Sequence, residues 1–368
     1  MQYLSKTRLN GAEGENARAV QSKIALRVKR ALWNVMLALI LASAGLLIGC
    51  SAAVNGNGEA GGPAGSAGNS SSEQNTGLGR QIVIGSMVTE DILPMWVAEE
   101  EKIFAEYGID ATVMTFQSGQ ELSTAMVSGA VDIAMTDILV SATLTASGTP
   151  VVMEWVTLGA TASQGRFGIM TSPESGITSL KDLAGVPIGV GSNTMPEYVM
   201  YGLLYSAGLT DDEIVGEEIK KVPVRYEMMT SNQVAAAALP GSLLALGEAT
   251  GMVLVADDST GANLSTSVMV MREDLASTPE GAFIVETLAE VWDDAVTRIN
   301  ANPEDYRSVL VLRAQLPEPV KDSYVISEYP LVARPTPQMV TPVLNWMYKM
   351  GYLSIELSYD YSTGTFIK

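Results

Sequence analysis

Short apolar runs rich in Ile and Val recur along the chain from residue 82 onward, separated by amphipathic stretches bounded by Gly or Pro. Runs of this length read as buried strands, and the stretches between them carry helical spacing. The pattern predicts a strand at Ile82, a helix over Pro94–Tyr107 closed by Gly108, a strand in "IDATVMTF" and a helix over Glu121–Ser128. Strands follow in "VDIAM", "VVMEWVTL" and "RFGIMTS". Next come a short helix in "SLKDLAG", a strand in "VPIGVG" and a helix over Pro196–Ala207 closed by Gly208. Strands at 252–256 and Ser267–Met271 precede a helical end: Glu280–Asn300, Pro303–Gln315 and Gln338–Met350. Strands alternating with helices imply βαβ units and mostly parallel sheets. One set of units starts at Ile82 and a second at Val186, so two α/β lobes are expected.

The longest apolar run, Ala31–Gly49, lies outside this alternation. Arg27, Lys29 and Arg30 precede it and small residues close it, as in an export signal. Its end, Leu47-Ile48-Gly49-Cys50, resembles the bacterial lipobox, whose cysteine becomes the lipidated first residue of the mature protein. The alternative is an uncleaved transmembrane anchor, since the run is nearly long enough to span a bilayer. Both place the body outside the cytoplasm. The long basic segment ahead of the run leaves open a start downstream of residue 26. Residues 51–79 are low-complexity, rich in Gly, Ser and Asn, and read as a flexible tether. The expected organisation is a signal peptide over 1–49, a tether over 50–79, a first lobe from 80–168 and 268–368, and a second lobe from 169–267.

Charge and composition narrow the chemistry. The net charge of −19 becomes −24 once the seven basic and two acidic residues ahead of Cys50 are removed. So acidic a body disfavours nucleic acid as a partner, and an anionic membrane face as well. The chain has no histidine and one cysteine. That excludes Ser-His-Asp and Cys-His machinery, imidazole or thiolate metal sites, and an intramolecular disulfide. Lys, Tyr or carboxylate catalysis stays open, so an enzyme is disfavoured rather than forbidden; no cofactor or metal is expected, and no catalytic residue is assigned.

Two loops share one design. Ser118-Gly119-Gln120-Glu121 and Thr194-Met195-Pro196-Glu197 both fit the S/T-x-x-E capping box and both follow a predicted strand. Each places a helix amino end, with free N–H groups, beyond a strand's carboxyl end, where open α/β sheets bind ligands. Singly, each also reads as an ordinary helix start.

The segment "LPMWVAEEEKIFAEYGIDATVMTFQSGQELSTAMVSGAVDIAMTD" resembles the first lobe of ABC-transporter substrate-binding proteins of the nitrate/taurine/alkanesulfonate and thiamine-pyrimidine-precursor group. The resemblance rests on Phe104–Ile109, on Ser118-Gly119, and on Gly129 through Asp132 to Ala134. "GITSLKDLAGVPIGVGSNTMPEYVM" is similar to that family's entry into the second lobe. The resemblance implies an α/β, type II periplasmic-binding-protein fold with a ligand cleft between two lobes. It places crossovers near Arg166–Ser172 and Leu264–Met271. It also implies a monomer that closes on a small-molecule ligand without catalysis and delivers it to an ABC permease in the same membrane. Two departures stand out. Ala235 occupies the place of an acid in Asn232-Gln233-Val234-Ala235-Ala236, and Leu239-Pro240-Gly241-Ser242 lacks bulky polar residues.

The expected ligand-binding residues are those following the strands: Thr89 and Asp91, with Met87 and Glu90 beside them; Gln117, Ser118 and Gly119; then Thr136 and Asp137. Arg166, with Gln164, stands at the crossover, and Ser192, Asn193, Thr194 and Tyr198 belong to the second lobe, with Glu197 among them and Arg225 on a further loop. Each has a plainer reading. Glu90 and Asp91 also suit a helix start, Arg166 a salt bridge to a first-lobe carboxylate, and Trp96 and Trp155 the core. Acids outnumber bases in these loops, which favours an amine-bearing, zwitterionic or neutral heterocyclic ligand over an oxyanion. Sulfonate- or taurine-like and aminopyrimidine-like solutes are the expected classes. The rivals are a biosynthetic enzyme of the same fold and a sensory lipoprotein.

Overall fold

The computed structural model describes residues 78–260 and 264–368. The export signal, Cys50 and nearly all of the expected tether lie outside the described residues. Twelve strands, β1 Ile82–Met87, β2 Ala111–Phe116, β3 Ile133–Asp137, β4 Val151–Leu158, β5 Phe167–Thr171, β6 Pro187–Val190, β7 Val215–Glu218, β8 Ala236–Pro240, β9 Val253–Asp257, β10 Ser267–Arg272, β11 Ser358–Asp360 and β12 Thr365–Ile367, form three sheets. The helices are α1 Leu93–Glu100, α2 Ile103–Glu106, α3 Gly119–Ser128, α4 Ile138–Ala146, α5 Met195–Ser206, α6 Val222–Thr230, α7 Gly241–Ala249, α8 Glu273–Ala276, α9 Pro279–Ala301, α10 Arg307–Arg313 and α11 Pro337–Lys349.

The first sheet runs β2-β1-β3-β10-β4 and the second β7-β6-β8-β5-β9, one topology used twice, with β11-β12 as a terminal hairpin. The architecture is two α/β lobes. Parallel pairing dominates the start of each sheet, with Ile82 opposite Ala111 in the first and Pro187 opposite Val215 in the second. One strand in each sheet is antiparallel to both neighbours: β10 in the first, β5 in the second. Both are the first strand laid down after the chain crosses between sheets. The described residues of the crossings are 159–166, 258–260 and 264–266. The stretches expected to be crossovers are therefore largely β5 and β10 themselves.

The predicted helix over Pro94–Tyr107 is two helices, broken at Lys102, whose φ is +63°. Three consecutive glutamates, Glu99 to Glu101, stand at the end of the first of these helices. The break lets Glu99 accept from the Thr112 hydroxyl (2.7 Å) and the Val113 N–H (3.1 Å), while Arg313 and Arg298 pair with the three acids from outside. In α9, Ile284, Leu288, Val291, Trp292, Ala295 and Ile299 are fully buried along one face against the first sheet. Burying each of the large side chains contributes about 1.5–3 kcal/mol. Trp96 and Trp155 join this core, which resolves their role in favour of packing.

The helix α11 belongs to the first lobe, packing on α4, yet its Trp346 ring reaches the second. It lies 5.3 Å from Tyr198 and 5.7 Å from Tyr201, both on α5, and 5.6 Å from Tyr352. Lys349 adds an ion pair to Asp211 at 2.8 Å. No helix among the described residues is long and apolar enough to cross a membrane.

Candidate functional site

The carboxyl edge of the first sheet is acidic. Thr89 precedes a single 3-10 turn, Glu90–Ile92, without capping it through its side chain. Asp91 accepts the Ser267 hydroxyl at 2.5 Å, tying the end of β1 to the start of β10. Glu90 accepts the Tyr324 hydroxyl, and its carbonyl accepts the Tyr329 hydroxyl at 2.8 Å. Asp137, at the end of β3, caps α4 by accepting the Val140 N–H at 2.8 Å, with Thr136 buried beside it. Burial, with the Asp91 charge close by, pushes the Glu90 carboxyl up to about 7. Burial also pushes Asp137 up to about 6. At β2, Ser118 caps α3 by accepting the Glu121 N–H at 3.2 Å. The returning carboxylate takes the Gln117 N–H at 3.1 Å, one residue earlier than a capping box requires. Gln117 is exposed, and Ser118 and Gly119 are half-buried.

The second-lobe edge differs from the expected capping box. Thr194 donates its hydroxyl backwards to the Gly191 carbonyl at 2.6 Å and caps nothing. Glu197 is buried and accepts the Asn193 N–H at 2.6 Å and the Tyr352 hydroxyl at 2.9 Å. Glu197 thus makes the same local contact as Glu121, to the N–H one residue ahead of the cap position, and adds a tertiary one to Tyr352. Ser192 gives both its N–H and its hydroxyl to Glu218. Asn193, at φ +55°, donates Nδ2 to Thr143 Oγ1 of α4 at 3.2 Å, a hydrogen bond from one lobe to the other. Tyr198 is buried edge-on against Trp346. Arg225 lies on α6 rather than on a loop, is 1% exposed, and donates to the Ala238 carbonyl at 2.7 Å; burial lowers it to about 10.

At the crossings, Gly159 and Ser265 press together, with Thr266 donating to the Gly159 carbonyl at 3.2 Å. Gln164 folds back to accept the Ala160 N–H at 3.0 Å. Arg166 does pair with carboxylates, but not with a first-lobe one. Its Nε donates to Asp257 at 2.5 Å, and its two terminal nitrogens donate to Glu248 at 2.9 and 3.2 Å. Both acids belong to the second lobe, where α7 and β9 bring them together.

A cavity of about 410 Å³ opens where these parts meet, lined by Glu90, Arg166, Gly241, Glu248, Ser323 and Tyr324 among others. Gly241 begins α7 so close to its neighbours that a Cβ there would lie 2.8 Å from the Tyr324 hydroxyl and 3.2 Å from the Arg166 carbonyl. Of the twelve expected ligand-binding residues, Arg166 lines this cavity and the rest stand around the two sheet edges. Glu248 and Tyr324 carry no local signal that would have singled them out. Each reaches the cavity through packing of segments far apart in the chain. A larger depression of about 510 Å³ around Thr149 and Arg272 lies at the opposite edge of the first sheet. Among the described residues, no group of side chains is arranged to hold a metal ion.

The raised carboxyls set a pH dependence. Glu154, facing Arg334 at a distant 3.9 Å, is pushed up by burial to about 7. Folding raises its proton affinity, as it does for Glu90 and Asp137, so the stability tied to the protonated form is present below the unfolded carboxyl value. It is lost as pH rises through about 6–7. The urea midpoint is expected to fall between about pH 5 and about pH 8, and Glu154→Gln to flatten that fall. A midpoint that rises over this window would contradict the assignment.

The family model described as "NMT1/THI5 like" matches residues 89–304. No curated protein matches the chain. Among solved structures, the alkanesulfonate-binding protein SsuA from Xanthomonas axonopodis pv. citri, bound to MOPS, is similar with a TM-score of 0.63 and 17% identity, over 75% of this chain and 95% of that one. The periplasmic aliphatic sulphonate binding protein SsuA from Escherichia coli is similar with a TM-score of 0.62 and 17% identity, over 75% and 89%. The desulfurization enzyme DSZB shares the fold at a TM-score of 0.58 and 14% identity, over 75% and 94%. At these identities the likeness is one of fold, that of the periplasmic binding proteins. The matched segment begins beside Glu90, runs through both sheets and ends in the turn after α9; the chain belongs to the NMT1/THI5-like family.

Proposed function

We propose that the chain is the extracytoplasmic solute-binding component of an ABC importer, taking a small polar organic solute between its lobes without catalysis. One observation carries this reading: the cavity takes Glu90 from the first lobe and Gly241 and Glu248 from the second, at the crossings between them. A solute touching both lobes at once favours the closed arrangement by its differential contacts. In this reading the lobes divide as 80–168 with 268–368, and 169–267. Cys50 carries the lipid anchor, residues 51–79 form the tether, and the partner is a permease in the same membrane. The receptor acts as a monomer and needs no cofactor.

The likeness to DSZB raises an enzymatic reading of the same fold. The composition speaks against it, since the chain has no histidine and its lone cysteine, Cys50, falls within the lipobox-like tetrapeptide. The experiment is a thermal-shift screen of the full chain in mild detergent, against taurine, alkanesulfonates, nitrate, aminopyrimidines, riboflavin and amino acids. A true ligand at about a hundred times its dissociation constant raises stability by about 2.7 kcal/mol. A shift with no solute of the panel would end this reading. Turnover of a solute that binds would replace it with the enzymatic one.

A further inference from the structure

The charges around the interlobe cavity are unequal. Glu90 enters from the first lobe and Glu248 from the second, and Asp257 stands directly behind Arg166. Arg166 is the one cation among the described lining residues, and three of its nitrogens are already committed to Asp257 and Glu248. The nearby Lys321 is held by Glu318 at 2.6 Å. An anion entering here would meet two carboxylates and no free guanidinium. A cation would meet the Glu90 carboxyl on one side and Glu248 on the other, whose two oxygens it would share with Arg166, together with hydroxyls such as Ser323 and the aromatic ring of Tyr324. The volume of about 410 Å³ suits a compact small molecule.

We propose that the cavity takes a small organic cation, with an ammonium or amidinium group seated between the Glu90 and Glu248 carboxylates. This rests on the receptor reading and names its ligand class. Because the two acids come from different lobes, the cation itself draws the lobes together. Glu90 also sits where α7 begins, its carboxyl oxygen 3.4 Å from the position a Cβ on Gly241 would take. Raising the pH through about 7 ionises Glu90 and strengthens the site.

The test is titration calorimetry on the full chain in mild detergent, at constant ionic strength and about pH 8. The probes are butylammonium and benzamidinium, set against ethanesulfonate and acetate. At least one cation is expected to bind, and Glu90→Gln and Glu248→Gln each to weaken it about tenfold or more. Circular dichroism melts of both variants establish that they fold. Cation binding left unchanged by both substitutions overturns the proposal, and so does the absence of binding by either cation. Binding of ethanesulfonate in place of the cations overturns it too, while leaving the receptor reading intact. Only failure of the whole solute panel above ends both.

Discussion

Gly159→Ala is expected to cost about 2–4 kcal/mol, read as a drop in the urea midpoint at unchanged slope. The residue leaves the first sheet at φ +77°, and a Cβ there would lie 1.8 Å from the Ser265 carbonyl oxygen. Neither partner can give way by rotating a side chain, because the clash is with backbone. The two crossings must separate, and with them the Thr266 hydrogen bond to Gly159. Gly148→Ala is the control. That glycine is exposed, also has a positive φ (+100°), and has nothing within 4 Å of its Cβ position. Its cost is the conformational part alone, about 1 kcal/mol. Equal losses in the two variants would show that the close approach of the crossings contributes nothing.

Trp346→Ala is expected to cost about 3–5 kcal/mol, as for other buried aromatics cut to alanine. The ring is 6% exposed and fills the space between α11 and the Tyr198 and Tyr201 side of α5. Trp292→Ala removes a fully buried ring of similar size from the first-lobe core alone, where its N–H donates to the Pro330 carbonyl at 2.9 Å. Both should lower stability, but Trp346→Ala alone should speed amide exchange in α5 and enlarge the radius of gyration. Equal exchange in α5 in the two variants would remove Trp346 from the lobe interface.

Much of the fold was legible because burial and period agree locally. The β4 strand is matched residue for residue by "VVMEWVTL", and Gly108 and Gly208 end their helices with left-handed backbone as expected. The misses have physical causes. In α4, "ILVSATLTA" is apolar nearly all round and rich in β-branched residues, so it carries no helical stripe to separate it from the strand before it. The edge strand β7, "VGEE", is exposed throughout and shows no alternation. The alanines of β8 suit a helix by propensity and become a strand through their neighbours.

The site was less legible than the fold. Loop residues after strands were recognisable as a class, and the excess of acids among them was visible. That Arg166 is spent on Glu248 and Asp257 was not, since those partners are 82 and 91 residues away. Nor was the contact between Glu90 and Tyr324, which are 234 residues apart. Such pairings depend on how lobes meet, and no local pattern encodes them.

The distribution of tryptophan has a practical consequence. Among the described tryptophans, Trp96, Trp155 and Trp292 lie together in the first-lobe core, while Trp346 alone sits against the second lobe, ringed by Tyr198, Tyr201 and Tyr352. Emission from the first three is expected to report the integrity of one lobe and to be insensitive to the proposed closure. Emission from Trp346, which lies within 5.3–5.7 Å of three tyrosine rings, is expected to change if the distance between lobes changes. Under the proposed hinge closure Trp346 would serve as a built-in optical gauge, and the difference spectrum between the native chain and Trp346→Phe would isolate it without any attached dye.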